Sequence, residues 1–263
     1  MQDLTVTIIQ SDLAWRDPEK NLQHFDNLIG GIDHTTDLIV LPEMFTTGFT
    51  MEPQALAEKT RQKTLKWMFC KALDKKCAIL GSYIVEDKGE YFNRLYVVLP
   101  NGRNYFYDKR HLFRMANEHK FFSPGTKHTT VKIKGWKISL MICYDLRFPV
   151  WCRNSYNNGS YGFDFQIFVA NWPEVRSYAW KTLLCARAIE NQAYVAGVNR
   201  IGIDGSGISH SGDSMVVDPW GGIVSKTKAH QESVETIMLS ASKLESFRKS
   251  ITFGLDWDGF TLE

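Results

Sequence analysis

The chain has 263 residues, 44% of them hydrophobic and 23% charged, and its 31 Lys+Arg against 29 Asp+Glu leave a net charge of +2. That is ample apolar material for a globular core, and so even a charge balance excludes a field for gripping nucleic acid or an anionic membrane. No apolar run approaches the roughly 18 residues of a membrane span, and the opening "MQDLTVTIIQSDLAW" carries acidic residues where a secretory signal needs basic ones.

The elements follow in chain order. "LTVTIIQ" (Leu4–Gln10) alternates and is β-branched, which predicts a strand. "PEKNLQHFDNLIGGI" (Pro18–Ile32) opens on Pro-Glu, spaces its apolar residues helically and stops at a Gly pair. "DLIVLPE" (Asp37–Glu43) is a short continuous apolar run, the pattern of a strand buried on both faces. "ALAEKTRQKTLKWMFCKALDKK" predicts one helix and "CAILGSYIVE" the next strand. In "NRLYVVLPNGRNYFYDKRHLF" two β-rich runs flank Asn101-Gly102, a strong hairpin signal, and the second run ends on Asp108-Lys109. "KISLMICYDLRFP" (Lys137–Pro149) runs apolar and then stops on a cysteine, and Pro149 is suited to the first turn of a helix. "FDFQIFVANWP" (Phe163–Pro173) is a further buried strand, "SYAWKTLLCARAIENQ" a helix, and "AYVAGVNRIG" and "GDSMVVDPWGGIV" two more strands. "DLIVLPE" and "DFQIFVANWP" echo one another: each is led by Asp and ends in a polar residue beside Pro. Alternating helices and strands plus a hairpin predict a layered α/β fold on mixed sheets, and the absence of linkers predicts one domain over residues 1–263.

Of the five cysteines none forms a C-x-x-C pair or stands at zinc-ligand spacing, which suits a reducing, cytoplasmic compartment and offers no metal site. Cys70, Cys77, Cys152 and Cys185 read as packing. The three strand ends at Glu43, Lys109 and Cys143 are different, because strand ends can aim side chains into one cleft. A thiol is mostly protonated at neutral pH; a carboxylate can take its proton and an ammonium can stabilise the oxyanion formed on an attacked carbonyl. Taken singly, each residue has an ordinary explanation: Cys143 as a small buried hydrophobe, Glu43 as a helix-start carboxylate, Lys109 as a solvated member of "DKRHLF". Separation along the chain fixes no distance between them.

The stretches "LIVLPEMF", "YDKRHLF" and "SLMICYDLRFP" together resemble the nitrilase superfamily of carbon–nitrogen hydrolases, whose members use a Glu-Lys-Cys triad. "NEHKFFSPG", "VANWP", "ARAIENQAYVAGVNRIG" and "SGDSMVVDPWG" match in the same order, so the resemblance spans essentially the whole chain. It implies Glu43 as general base, Lys109 as oxyanion partner, Cys143 as nucleophile and Glu118 as a second, positioning glutamate, with the backbone N–H of Tyr144 as a further oxyanion donor. It also implies an α-β-β-α sandwich of two mixed β-sheets with internal pseudo-symmetry, covalent acyl transfer through a thioester, and no metal or organic cofactor. A homodimer or higher homo-oligomer is implied as well, paired through helices such as Ser177–Gln192 or the segment after Pro149.

The continuation Met44–Met51, Val150-Trp151 and "NWPEVRSYAWKTLLCARAIENQAYVAGVNR" look most like the omega-amidase group, which implies a small 2-oxo acid amide as substrate. Its carboxylate needs a cation besides Lys109, and Arg147 and Arg176 are the candidates, with Phe45, Phe113 and Trp172 as pocket walls. An aliphatic amidase, a carbamoylase or a nitrilase would keep the same triad, and a silent scaffold of the same fold would not need it. A Cys-His hydrolase would draw on His111 or His119, for which no motif speaks.

Overall fold

The computed structural model describes residues 1–60 and 62–261. Two sheets face each other. The first, over the described residues, is built from β1 (Leu4–Gln10), β2 (Leu38–Val40), β3 (Ala78–Asp87), β4 (Glu90–Val98), β5 (Asn104–Asp108) and a late strand, Ser233–Leu239. The second uses β6 (Thr130–Ile133), β7 (Trp136–Ile142), β8 (Phe165–Ala170), β9 (Tyr194–Asn199) and β10 (Met215–Val217); the late strand Ser233–Leu239 is therefore β11. Their orders are β11-β1-β2-β3-β4-β5 and β10-β9-β8-β7-β6, with the short strand Glu58–Lys59 added beside β3.

Each sheet has three parallel strands at its heart and antiparallel strands outside them. The middle strand of each trio is one of the two that echo in sequence, β2 and β8. The leading aspartates do the same work in both. Asp37 accepts a hydrogen bond from Thr5 N at 2.8 Å and Asp164 one from Lys137 N at 2.9 Å, so each side chain pins the start of the adjacent strand.

Side-chain alternation then separates the layers. Leu4, Val6 and Ile8 of β1, Leu38 and Val40 of β2, and Leu80 of β3 point into the space between the sheets, where they join Ile138, Leu140, Ile167 and Val169 in one core. Ile9, Ile39 and Ile79 point the other way, under helices α1 (Pro18–Gly30) and α2 (Lys63–Lys75), which contribute Leu22, Phe25, Leu65 and Met68. Over the second sheet lies α3 (Ser177–Asn191), with Trp180, Leu184 and Ala188 buried. The contact is so close that a Cβ on Gly197 would stand 2.4 Å from Leu184 Cδ1. The layers are helix, sheet, sheet, helix.

Several expected boundaries move for local reasons. The single helix expected from Ala55 is a turn at Pro53–Leu56, the strand Glu58–Lys59 and then α2. Glu58 causes the break, because its carboxylate accepts from Thr64 N at 2.8 Å and from the Thr64 hydroxyl, capping α2 from outside. β2 is shorter than the apolar run because Pro42 has no N–H to continue a ladder. The helix opening at Pro149 lasts only to Cys152. β11 and the helix α4 (Ala241–Ser250) are additions to the expected elements; Arg248 of α4 binds Asp164 at 2.6 Å, tying this helix to the start of β8.

Phe45 lies outside the cleft, contrary to the expectation of a pocket wall. It is fully buried among Phe25, Trp67 and Tyr83, lying so close over Gly81 that a Cβ there would sit 2.9 Å from its ring. The chain turns at Met44, whose φ is +43°, and Phe45 N donates to Ser82 O at 3.0 Å, so the side chain is aimed behind the sheet. Phe45→Ala should therefore lower unfolding free energy by about 3–5 kcal/mol, read as a fall in the urea midpoint.

Candidate active site

The site lies where the strand ends of the two sheets meet. Glu43 leaves β2 through Pro42, and three donors hold its carboxylate: Asn93 Nδ2 at 2.7 Å and Lys109 Nζ at 2.9 Å on Oε1, and Asn171 N at 2.7 Å on Oε2. Asn171 follows β8, so this last bond joins the ends of the two middle strands across the sandwich. Asn171 Nδ2 also donates to the backbone carbonyl of Glu43 at 2.5 Å.

Lys109 continues β5 by one residue, its N–H donating to Asn93 O at 3.0 Å. On the neighbouring Asp108, Arg94 makes a two-pronged pair at 2.6 and 3.0 Å. Gly125 N donates to Lys109 O at 2.8 Å, and the approach is so tight that a Cβ on Gly125 would come within 2.0 Å of Asp108 O. Glycine is the residue that fits there, which gives "FFSPG" its physical meaning. The Lys109 ammonium then reaches Glu118 Oε2 at 3.0 Å as well as Glu43, and lies 4.9 Å from the centre of the Phe49 ring. Glu118, on a turn after Asn117 (φ +58°), is fixed in return by Phe113 N at 2.6 Å.

Cys143 ends β7. The backbone swings from φ −125° at Ile142 to +43° at Cys143 and continues as a tight turn of helix to Arg147. A left-handed φ costs a residue with a side chain about 1–2 kcal/mol, and such strain is characteristic of functional sites. It lifts the thiol out of the strand direction into a cleft of about 390 Å³.

Burial sets the electrostatics. Alone it would drive the proton from Lys109, but the carboxylates of Glu118 and Glu43 outweigh it and keep the ammonium charged well above the ordinary lysine range. Burial lifts the carboxyl of Glu118 above its usual range, with Lys109 pulling against it. Burial and the negative charge of Glu43 push the Cys143 thiol well up, so at neutral pH it rests protonated with a carboxylate beside it. Such a group of residues can move a proton off sulfur during attack and hold negative charge on an oxygen. The two carboxylates already have their counter-ion in Lys109. Among the described residues no group of three or more His, Cys, Asp or Glu is arranged to hold a metal.

Of the expected site residues, Lys109, Phe113, Cys143, Tyr144, Arg147, Trp172 and Arg176 line the cleft. Glu43 and Glu118 lie behind it, fully buried. The guanidinium carbon of Arg147 lies over the Trp172 ring, 4.7 Å from its centre, and that of Arg176 over the Phe113 ring, 5.4 Å from its centre. Neither guanidinium has a carboxylate or hydrogen-bond partner among the described residues. His111 pairs with Asp145 at 2.8 Å and His119 is exposed, so neither histidine serves the thiol.

Sequence reasoning missed Asn93 and Asn171, the clamps on Glu43, and the cleft residues Trp15, Phe49, Met51 and His210. Asn171 stood in the quoted "VANWP", and a polar residue closing a buried strand was the signal. Phe49 was within reach too, two turns of loop beyond Glu43. His210 comes from a separate hairpin (Ile201–Ile203 with Ser209–Ser211); it is buried, its Nδ1 has no partner among the described residues, and burial followed by nearby Arg200 pushes its pKa down.

Comparison with known proteins agrees with this geometry. The family model for carbon-nitrogen hydrolases matches residues 5–249. The chain is 44% identical over 262 residues to Omega-amidase YafV of Escherichia coli (strain K12), covering 100% of both. It is 31% identical over 252 residues to 2-oxoglutaramate amidase of Bacillus subtilis (strain 168), covering 94% of this chain and 95% of that one. A solved structure of a CN-hydrolase superfamily protein from Xanthomonas campestris, with an arsenic adduct in its active site, superposes with a TM-score of 0.98 at 42% identity over 100% of both chains. Sequence, fold and the meeting of Glu43, Lys109, Glu118 and Cys143 converge on one conclusion: the chain belongs to the carbon-nitrogen hydrolase family.

Proposed function

We propose that the protein is an omega-amidase, which hydrolyses the terminal amide of a short 2-oxo dicarboxylic acid monoamide, of the 2-oxoglutaramate kind, to the 2-oxo diacid and ammonia. The observation that carries the reading is the pair of guanidiniums, Arg147 and Arg176, which share a cleft with Cys143 and have no partner of their own among the described residues. A substrate carboxylate offers the bidentate, charge-assisted contact that such a group lacks. The full-length likeness to proteins named omega-amidase and 2-oxoglutaramate amidase supports the same substrate class.

The chemistry follows from the resting charges. Glu43 takes the thiol proton as sulfur attacks the amide carbon, and the carbonyl electron pair moves onto oxygen. Lys109, held as an ammonium, and the backbone N–H of Tyr144 stabilise that oxyanion. The proton on Glu43 passes to the amide nitrogen, the C–N bond breaks and ammonia leaves a thioester. Water then gives a proton to Glu43 and attacks the acyl carbon; as the C–S bond breaks, that proton returns to sulfur. Glu118 holds Lys109 from the opposite side throughout.

The five cysteines, all free, suit a reducing, cytoplasmic setting. Val175, Tyr178 and Ile189, exposed on and just before α3, support pairing of two copies through this helix.

Three outcomes test this reading. Cys143→Ala should abolish turnover with the fold intact, whereas Cys152→Ala and Cys185→Ala should retain most activity; ammonia release by folded Cys143→Ala would rule out a thioester. Glu43→Gln keeps the shape and removes the base, so stopped-flow acylation should slow by at least about 10²-fold; an unchanged rate would reassign the base. For specificity, kcat/KM for 2-oxoglutaramate should far exceed that for butyramide. Arg147→Met or Arg176→Met should erase most of this preference in at least one case, a loss of about 2–5 kcal/mol in binding a carboxylate left without its partner. Equal wild-type values for the two amides would instead identify an aliphatic amidase.

A further inference from the structure

Beneath the thiol lies a carboxylate that the chemistry above does not use. Asp145 is fully buried. Its Oδ1 accepts from the backbone N–H of His111 at 3.0 Å and lies 2.8 Å from His111 Nδ1. Its Oδ2 accepts from the Tyr107 hydroxyl at 2.8 Å and from the backbone N–H of Ile142 at 3.0 Å. Tyr107 and His111 stand two residues before and after Lys109, and Ile142 immediately precedes Cys143. The Lys109 segment leaves β5 of the first sheet and the Cys143 turn leaves β7 of the second. One side chain therefore ties the two sheets together at the ends that carry the ammonium and the thiol.

We propose that Asp145 is a positioning residue of the active site, which sets the spacing between Lys109 and Cys143 by holding the backbone on both sides of Lys109 and the turn that carries Cys143. The inference rests on the roles assigned to Lys109 and Cys143 above.

The donor pattern demands a carboxylate rather than an amide. Each oxygen faces one backbone N–H, Ile142 on one and His111 on the other. An asparagine would turn its NH2 toward one of them in either orientation, and a backbone amide cannot change from donor to acceptor. Tyr107 cannot absorb the conflict freely either, because its oxygen already accepts from Trp151 Nε1 at 2.9 Å and Arg110 N at 3.3 Å, which leaves its proton for Asp145. Asp145→Asn must displace either the residue before the nucleophile or the segment that carries the ammonium. A displacement of the reacting groups on the scale of an ångström costs about 10²-fold in rate.

The test compares wild type, Asp145→Asn and Tyr107→Phe, with all rates expressed per folded molecule from circular dichroism. Two rates are measured: single-turnover acylation by 2-oxoglutaramate, and alkylation of Cys143 by iodoacetamide followed by peptide mass mapping, which separates it from exposed Cys70 and needs no knowledge of the substrate. Asp145→Asn is expected to slow acylation by about 10²-fold and alkylation in parallel, with KM changed less than threefold. Tyr107→Phe removes one donor and is expected to cost about fivefold, the worth of one hydrogen bond. Wild-type rates in folded Asp145→Asn, accompanied only by a lower melting temperature, would overturn the proposal in favour of a purely structural role. If Asp145→Asn does not fold, unchanged rates in Tyr107→Phe overturn it. If wild type hydrolyses no 2-oxo acid amide but alkylation still falls in Asp145→Asn, the positioning role stands and the omega-amidase reading fails.

Discussion

A buried ammonium between two buried carboxylates is the constraint around which the molecule is arranged. Lys109, Glu43 and Glu118 are each at most 1% exposed, and three such charges are tolerated only when every one is paired and hydrogen-bonded. Neutral donors from three directions complete the hydrogen bonding of the carboxylates: Asn93 from β4, the backbone of Asn171 beyond β8, and the backbone of Phe113. Removing any partner would strand a charge in a dry interior, so the elements that bring these donors are held to one geometry. Burial, and after it the negative charge of Glu43, raises the thiol and keeps it protonated at neutral pH.

The repeated arrangement of the sheets explains how such a cluster can be assembled from distant parts of the chain. In a parallel trio the strands end on the same side, and in both sheets the chain leaving the middle strand carries a polar group within two residues of a proline. Facing the trios against each other brings Glu43 and Asn171 into contact although 128 residues separate them. Antiparallel β4 and β5 then return the chain so that Lys109 reaches the same place. The omega-amidase reading adds the outer ring, with Arg147 and Arg176 each placed over an aromatic ring of the cleft.

Much of this was legible because the signals were local. Continuous apolar runs marked β2, β7 and β8, Asn101-Gly102 marked the β4–β5 turn, and the catalytic candidates stood at the ends of those runs. The misses share a different origin. Phe45 and Phe49 are four residues apart in one loop, each directly after a left-handed residue, Met44 and Gly48, and these turns send the first toward the core and the second toward the cleft. Glu58 breaks a helical pattern through a side-chain cap, which periodicity cannot register. Asn93 lies in the interior of β4, where an isolated amide looks like an irregularity until Glu43 is brought to it. His210 belongs to a hairpin whose nearness to Cys143 depends on the packing of both sheets.

The two ends of the middle strands have been given different duties. Asp37 and Asp164 secure register at the entry end, while the exit end carries the charged cluster and the cleft loops at residues 48–52 and 204–210. Those loops contribute neither ladder bonds of the parallel trios nor the carboxylates that hold Lys109. Such a division makes the architecture evolvable. Rim segments can drift or be exchanged to admit a different acyl group, while the reactive frame and the register that supports it are inherited unaltered.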